Sequence, residues 1–223
     1  MKIIAVSDLH GNLIRIRESC DLFIIAGDWS PLYCQHDCTM TLSWIYSTFI
    51  PWMKRLNAKH VIFIPGNHDI VCTLPYFKKE LDYFLKRNNC TNVRYLCNSG
   101  ITIFSKKIFG IPNSESPNGW AFSDQYNQTY DFDDDTDILI THQPPRFGNV
   151  GFVKKFNKEL GSVDLRNEIL RSNILLNICG HIHTGDHTPT QALLNNGNTA
   201  IIQNASILDE NYEVSYPYTV INI

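Results

Sequence analysis

"NICGHIHTGDH", from Asn177 to His187, places three histidines within seven positions at the end of an apolar run, "ILLNI". A short run of this kind, bounded by turn residues, reads as a strand buried on both faces. Imidazoles gathered at the end of a buried strand point to ligands converging on something. The pattern recurs four more times. "KIIAVS" (2–7) ends at Asp8 and "DLFIIAG" (21–27) at Asp28. "HVIFIPG" (60–66) ends at Asn67 and His68, and "DILIT" (137–141) at His142. Helical patterns fall between several of these runs, over roughly 41–57, 74–87 and 164–172. "CTNVRYL", "GITIFS" and "KKIFGIP" read as three further strands in a meander. "TQALLNN", "NTAIIQNAS" and "YPYTVINI" read as antiparallel strands, with "NNGN" (195–198) as a hairpin turn. Alternating βα units followed by a β-rich half predict an α/β protein with two sheets, a single domain over 1–223. Loops 29–40 and 112–136 are long for connections, and long loops in compact domains are often functional.

The composition is that of an ordinary globular chain: 223 residues, 43% hydrophobic, 18% charged, net charge −3. There is no lysine or arginine tract, so a protein that grips long nucleic acid by its phosphates is not expected. No run approaches a membrane span or a signal peptide, and no membrane partner is expected. Seven cysteines without a framework spacing, and no export signal, read as reduced thiols and a cytoplasmic location.

Each of the five strand ends carries a group that binds metal or moves protons: Asp8, His10, Asp28, Asn67, His68, His142, His181 and His183. Groups at the C-terminal ends of neighbouring strands meet in one crevice. Imidazoles, carboxylates and one amide, without thiolate, suit hard or borderline divalent ions and are too rich in histidine for calcium. A single tetrahedral zinc needs four ligands. About twice that number is present, so two ions are more economical than one, and Asp28 is the natural bridge. Two ions roughly 3.5–4 Å apart suit phosphate-ester cleavage, with a nearby histidine to protonate the leaving oxygen.

"DLHG", "AGDW", "PGNHD", "THQPP" and "GHIH", in that order across residues 8 to 183, resemble the blocks of the calcineurin-like metallophosphoesterase superfamily. The resemblance implies a four-layer αββα sandwich of two mixed β-sheets flanked by helices. It implies a first ion on Asp8, His10, Asp28 and His183, and a second on Asp28, Asn67, His142 and His181. His68 would be the general acid or a phosphate-binding histidine rather than a ligand, with Asp69 beside it. "GDWSPLY" lacks the longer block of the Ser/Thr protein phosphatases. "THQPP" with "GIPNSESPNGWAF" (110–122) is similar to the small metallophosphoesterase-domain-containing phosphodiesterases. Some of those have lost a histidine of the last block; this chain keeps both His181 and His183.

Several residues carry plainer readings beside the functional ones. Arg146 could reach a substrate phosphate or stand as a solvated loop arginine. Asp69 could orient His68 or cap the following turn. His187 reads as a surface or supporting residue rather than a ligand. Asn12 and Asn113 could line a phosphate site or serve their own loops. "CQHDC" (34–38) has no second ligand pair elsewhere and reads as loop thiols, not a structural zinc. "DFDDDTD" (131–137) reads as a solvated acidic loop. Trp120 and Phe122 could stack on a base or pin their loop to the core.

The expected function is a dinuclear metal-dependent phosphohydrolase acting on a small phosphodiester, with cyclic or short nucleotides suggested by the resemblance alone. A metal-bridging hydroxide would be the nucleophile and His68 the acid. Asn67, His68 and Arg146 would contact substrate. The cofactors would be two divalent ions, Mn in vitro, with Fe, Zn, Ni or Mg as alternatives. A phosphomonoesterase is the enzymatic alternative, and a non-catalytic scaffold of the same fold the rival from another class.

Overall fold

The computed structural model describes residues 1–123 and 129–223, so the segment 124–128 of the second long loop lies outside the described residues. Two mixed sheets form the centre. The first has the order β13-β1-β2-β3-β4, built from Thr219–Asn222, Lys2–Val6, Cys20–Ala26, Ala58–Ile64 and Val93–Tyr95. The second has the order β11-β12-β10-β7-β6-β5: Thr190–Leu193, Thr199–Asn204, Leu176–Cys179, Ile138–Thr141, Lys106–Ile111 and Ser99–Ile103, and β8 (Phe152–Val153) and β9 (Lys158–Glu159) pair separately as a short antiparallel ribbon. In the first sheet β1, β2, β3 and β4 run parallel and β13 is antiparallel to β1. In the second, β6, β7, β10 and β12 run parallel, and β5 and β11 are antiparallel edges.

Alternation along the strands explains the four layers. Ile3, Ala5, Leu22, Ile24, Ile62 and Ile64 face the second sheet and meet Ile108, Ile138, Ile140, Leu176 and Ile178 there. Their neighbours Ile4, Phe23, Ile25, Val61 and Phe63 face outward against Phe49, Trp52, Phe77 and Leu81 of the first helical layer. On the far side Leu139, Cys179 and Ile202 receive Leu165 and Ile169 of the second helical layer. Both faces of each central strand are covered, which is why the runs are continuously apolar.

The predicted helix over 41–57 is α1 (Cys38–Trp44), a π-helical turn (Ile45–Phe49) and α2 (Ile50–Lys54) in succession. Pro51 cannot donate a backbone bond, and the wider turn precedes it. The helices α3 (Phe77–Arg87) and α4 (Val163–Arg171) match the other two predictions closely, the latter capped by the Ser162 hydroxyl on Leu165 N–H.

Two expectations need correction. The predicted meander is divided: β4 joins the first sheet parallel to β3, while β5 and β6 form a hairpin in the second. The last three strands do not form one antiparallel group. β11 and β12 are a hairpin, but β12 lies parallel to β10, and β13 crosses to the first sheet. Local alternation reports a strand but not the sheet it joins. Among the described residues, no helix is long and apolar enough to cross a membrane.

Candidate metal centre

The C-terminal ends of β1, β2, β3, β7 and β10 bring the eight predicted groups together. Three sets of donor atoms lie close enough to hold an ion: Asp8, His10 and His183; His10, Asp28 and His68; and Asp28, His142 and His181. Asp28 belongs to two of the three. Its Oδ2 lies 3.2 Å from His142 Nε2, 3.7 Å from His10 Nε2 and 4.0 Å from His68 Nε2. Asp8 Oδ1 lies 3.5 Å from His183 Nε2. Asn67 Oδ1 lies 3.0 Å from His142 Nε2.

The backbone at these positions is unusual. Asp8, His10, Asp28 and His181 have φ of 56°, 42°, 51° and 67°, the left-handed region that L-residues seldom adopt. Such strain persists where surrounding structure over-determines it, and it clusters at functional sites. Here the strand ends turn sharply enough to aim each side chain into the crevice. Two glycines allow the approach. A Cβ on Gly180 would overlap Ser7 Oγ and Asp8 Oδ2, and one on Gly66 would overlap Asp28 Oδ1.

Backbone acceptors set which nitrogen of His142 and of His183 faces inward. His142 Nδ1 lies 3.0 Å from Ala26 O, and His183 Nδ1 lies 2.9 Å from Asp209 O. Each carbonyl accepts an Nδ1–H, leaving Nε2 toward the carboxylates. His187 serves the same strand end. Its Nε2–H donates to His183 O at 2.9 Å while its ring stacks on Tyr216.

The electrostatics are those of a cation site. Burial alone would raise the Asp8 and Asp28 carboxyls, but His183 beside Asp8 and His142 beside Asp28 hold both below the usual carboxylate range. Burial lowers His10 to about 4, and burial with the His142 charge lowers His181 to about 3. Burial opposes the proton on His142 too, but the Asp28 charge and hydrogen bond prevail and push it up to about 9. Whether ions fit is decided by His10. Both of its ring nitrogens are buried without a hydrogen-bond partner among the described residues. Buried polar atoms are rarely left so in native proteins, and a divalent ion held by His10 with Asp8 and His183 would satisfy one of them.

A prediction follows from His142. At pH 7 its imidazole is protonated in the metal-free protein, and an ion held by His142 would displace that proton. Metal binding is expected to release at least about one proton per protein, since the Asp8 carboxylate, against burial, raises His183 as well, and to tighten as pH rises toward 9. The raised value also stabilises the metal-free fold. That contribution is complete below about pH 6.5 and is lost as pH rises through 9. Calorimetric titration in buffers of different ionisation enthalpy reads the proton directly. No buffer dependence at pH 7 would contradict the assignment.

Several predicted residues have other places. The Asp69 carboxylate is directed to backbone groups rather than to the His68 ring. Its Oδ1 accepts Ser30 N–H at 2.9 Å and its Oδ2 accepts Gly66 N–H at 2.7 Å, and its side chain does not cap the turn that follows. It is fully buried, and burial together with the Asp28 charge raises its carboxyl. It ties the first long loop to the Gly66–His68 turn. Arg146 does not line the cavity over Asp28 and His68. It is exposed, donates to Gly161 O at 3.0 Å and Glu159 O at 3.3 Å, and lines a neighbouring cavity with Ser116 and His181. Asn12 and Asn113 donate to Leu9 O and Thr129 O, within their own loops. Cys34 and Cys38 are free thiols, and Asp37 caps α1. In the acidic loop, Asp135 and Asp137 pair with Lys107 and Lys106.

Two contributors were not foreseen. Tyr212, in the loop before β13, sets its ring edge-on to His10 and His183, with centroids 5.0 and 5.2 Å away. Gln35 places Oε1 2.6 Å from His68 Nδ1. Tyr212 had no sequence signal; Gln35 lay within a segment read only for its thiols.

Residues 1–185 match the model of the calcineurin-like phosphoesterase family. The chain belongs to this family. Metallophosphoesterase domain-containing protein 1 of Homo sapiens is 29% identical over 248 aligned positions, covering 100% of this chain and 71% of that protein. The Mus musculus protein of the same name matches equally. A UPF0046 protein of Caenorhabditis elegans is 28% identical, covering 92% and 69%. One crystal structure superposes with a TM-score of 0.62 over 91% of this chain and 89% of its own, at 15% identity, a likeness of fold. A calcineurin-like phosphoesterase is a phosphoric ester hydrolase that normally binds divalent metals, and the histidine and aspartate groups described above are its candidate sites.

Proposed function

We propose that this calcineurin-like phosphoesterase is a phosphodiesterase for small esters. The observation that carries the reading is the convergence of five imidazoles on one buried carboxylate pair, Asp8 and Asp28. Asp8, His10, Asp28 and His183 would hold one divalent ion, and Asp28, Asn67, His142 and His181 a second. When bound, such ions supply Lewis acidity to a phosphoryl oxygen and lower the pKa of water.

The protein's own groups do the rest. Asn67, fixed by its contact with His142, presents its amide to the site. His68 is held by its backbone N–H, which donates to Asp28 Oδ1 at 2.8 Å. Its Nε2 faces the crevice from 4.0 Å off Asp28 Oδ2, where a leaving oxygen could take its proton. A cavity of about 310 Å³ opens over Asp28, His68, His181 and His183, walled by Phe156 and Tyr212. A second, of about 450 Å³, adjoins it across His181 and Ile182 and carries Arg146 and Lys158. Two cavities at one centre suit an ester with a substituent on each side of phosphorus, which favours a diester over a monoester. Their size suits small substituents, and the exposed aromatic rings suit a planar group such as a nucleobase.

The test is turnover of bis(p-nitrophenyl) phosphate beside p-nitrophenyl phosphate with Mn²⁺ added. The diester is expected to be turned over faster, and His68→Ala to lose about 10²-fold. Preference for the monoester would reassign the enzyme as a phosphomonoesterase. No turnover of either, with metal bound, would favour a scaffold.

A further inference from the structure

The two long loops meet on one side chain. Gln35, in the loop between β2 and α1, is largely buried, and its Oε1 lies 2.6 Å from His68 Nδ1. Trp120, in the loop after β6, packs against the same imidazole from another side, with ring centroids 4.2 Å apart and planes tilted by 36°. The same tryptophan also meets the neighbour of Gln35, with 5.5 Å between the His36 and Trp120 centroids. Backbone bonds fasten both loops to the turn that carries His68. Ser30 N–H donates to Asp69 at 2.9 Å, and Ala121 N–H donates to Asn67 O at 3.0 Å.

We infer that Gln35 and Trp120 are positioning residues that clamp His68. Gln35 fixes its tautomer and Trp120 its ring plane. The chemistry is direct. An amide oxygen only accepts, so Nδ1 must carry the hydrogen in that contact. The neutral imidazole is then the Nδ1–H tautomer, and Nε2 is the nitrogen that gains and gives a proton toward the crevice. An aromatic face against the ring limits rotation about the terminal side-chain bond, which is otherwise broad. Neither residue touches the crevice carboxylates in any contact described above, so their effect passes through His68. The inference rests on the proposed role of His68 as the acid, and the two fail separately.

The experiment has a spectroscopic and a kinetic arm, both on the full chain. Nitrogen-15 NMR of the His68 imidazole, in protein reconstituted with Zn²⁺, reads the tautomer without any turnover. The wild type is expected to show a protonated Nδ1, Gln35→Leu a mixture of tautomers, and Gln35→Glu, which keeps an acceptor, the wild-type pattern. An Nε2–H tautomer in the wild type, or no change in Gln35→Leu, would overturn the clamp. The kinetic arm compares diesters with p-nitrophenol and with phenol as leaving group. Acid catalysis matters most for the poorer leaving group. Gln35→Leu and Trp120→Ala are therefore expected to lose about 10-fold more activity on the phenyl ester, with KM and metal content unchanged. Equal losses on both esters would mean a structural role only. If the wild type hydrolyses neither ester, the proposed function fails, while the NMR arm still decides the clamp.

Discussion

Asp28→Asn is expected to lower kcat/KM on phosphoesters by about 10⁴-fold while leaving the fold standing. Asp28 is the shared member of two of the three donor groups, and three imidazole nitrogens face its Oδ2 within 4.0 Å. Asparagine keeps an acceptor for the backbone N–H of His68. It puts an NH₂ donor, or an uncharged oxygen, where the ring nitrogens and an ion need a carboxylate. A loss of five to six kcal/mol of transition-state stabilisation corresponds to about 10⁴-fold, in keeping with the several kcal/mol a metal centre supplies. Two further readouts separate this from unfolding. Metal content should fall below two ions per chain. The loss of metal-free stability between pH 6.5 and 9 should shrink, because His142 loses the largest influence raising its pKa. Full activity with both ions retained would remove Asp28 from the centre.

The second large effect is on stability. Gly66→Ala is expected to cost about 3 kcal/mol or more, the upper range for overpacking a filled site. The new Cβ would overlap Asp28 Oδ1 and lie 2.7 Å from both the Asp28 backbone nitrogen and His142 Cε1. None of these can swing aside. Asp28 is held by the His68 N–H, and His142 is fully buried against Ala26 O. Gly66 lacks the positive φ of several other glycines, so the cost is steric, not conformational. For a chain of this length the Tm should fall by about 6–12 °C. Gly197→Ala is the contrast. Its φ is +84° but no atom of the described residues lies within 4 Å of the added carbon, so only the left-handed strain of roughly 1–2 kcal/mol applies. If Gly66→Ala unfolds with the wild type, the crevice is looser than described.

The sequence by itself pointed to the groups that the fold gathers in one crevice. Five apolar runs ending in Asp8, Asp28, Asn67, His142 and His181 could be read without coordinates, because a strand covered on both faces must be continuously apolar and any polar ligand is driven to its end. The family blocks and the helices of 77–87 and 163–171 were equally local. Tertiary structure decided the rest. β4 and β13 look like neighbours of β5 and β12 in the chain, yet both belong to the other sheet, since alternation encodes a buried face and not its partner. Asp69 follows His68 directly, yet its carboxylate turns away to serve Ser30 and Gly66, while Gln35, 33 positions back, reaches the imidazole. Tyr212 stands against His10 and His183 from a loop with no motif. The candidate ligands are set by local chemistry repeated at strand ends. The groups that orient those ligands are set by which loops fold over them, and that depends on packing between segments far apart in the chain.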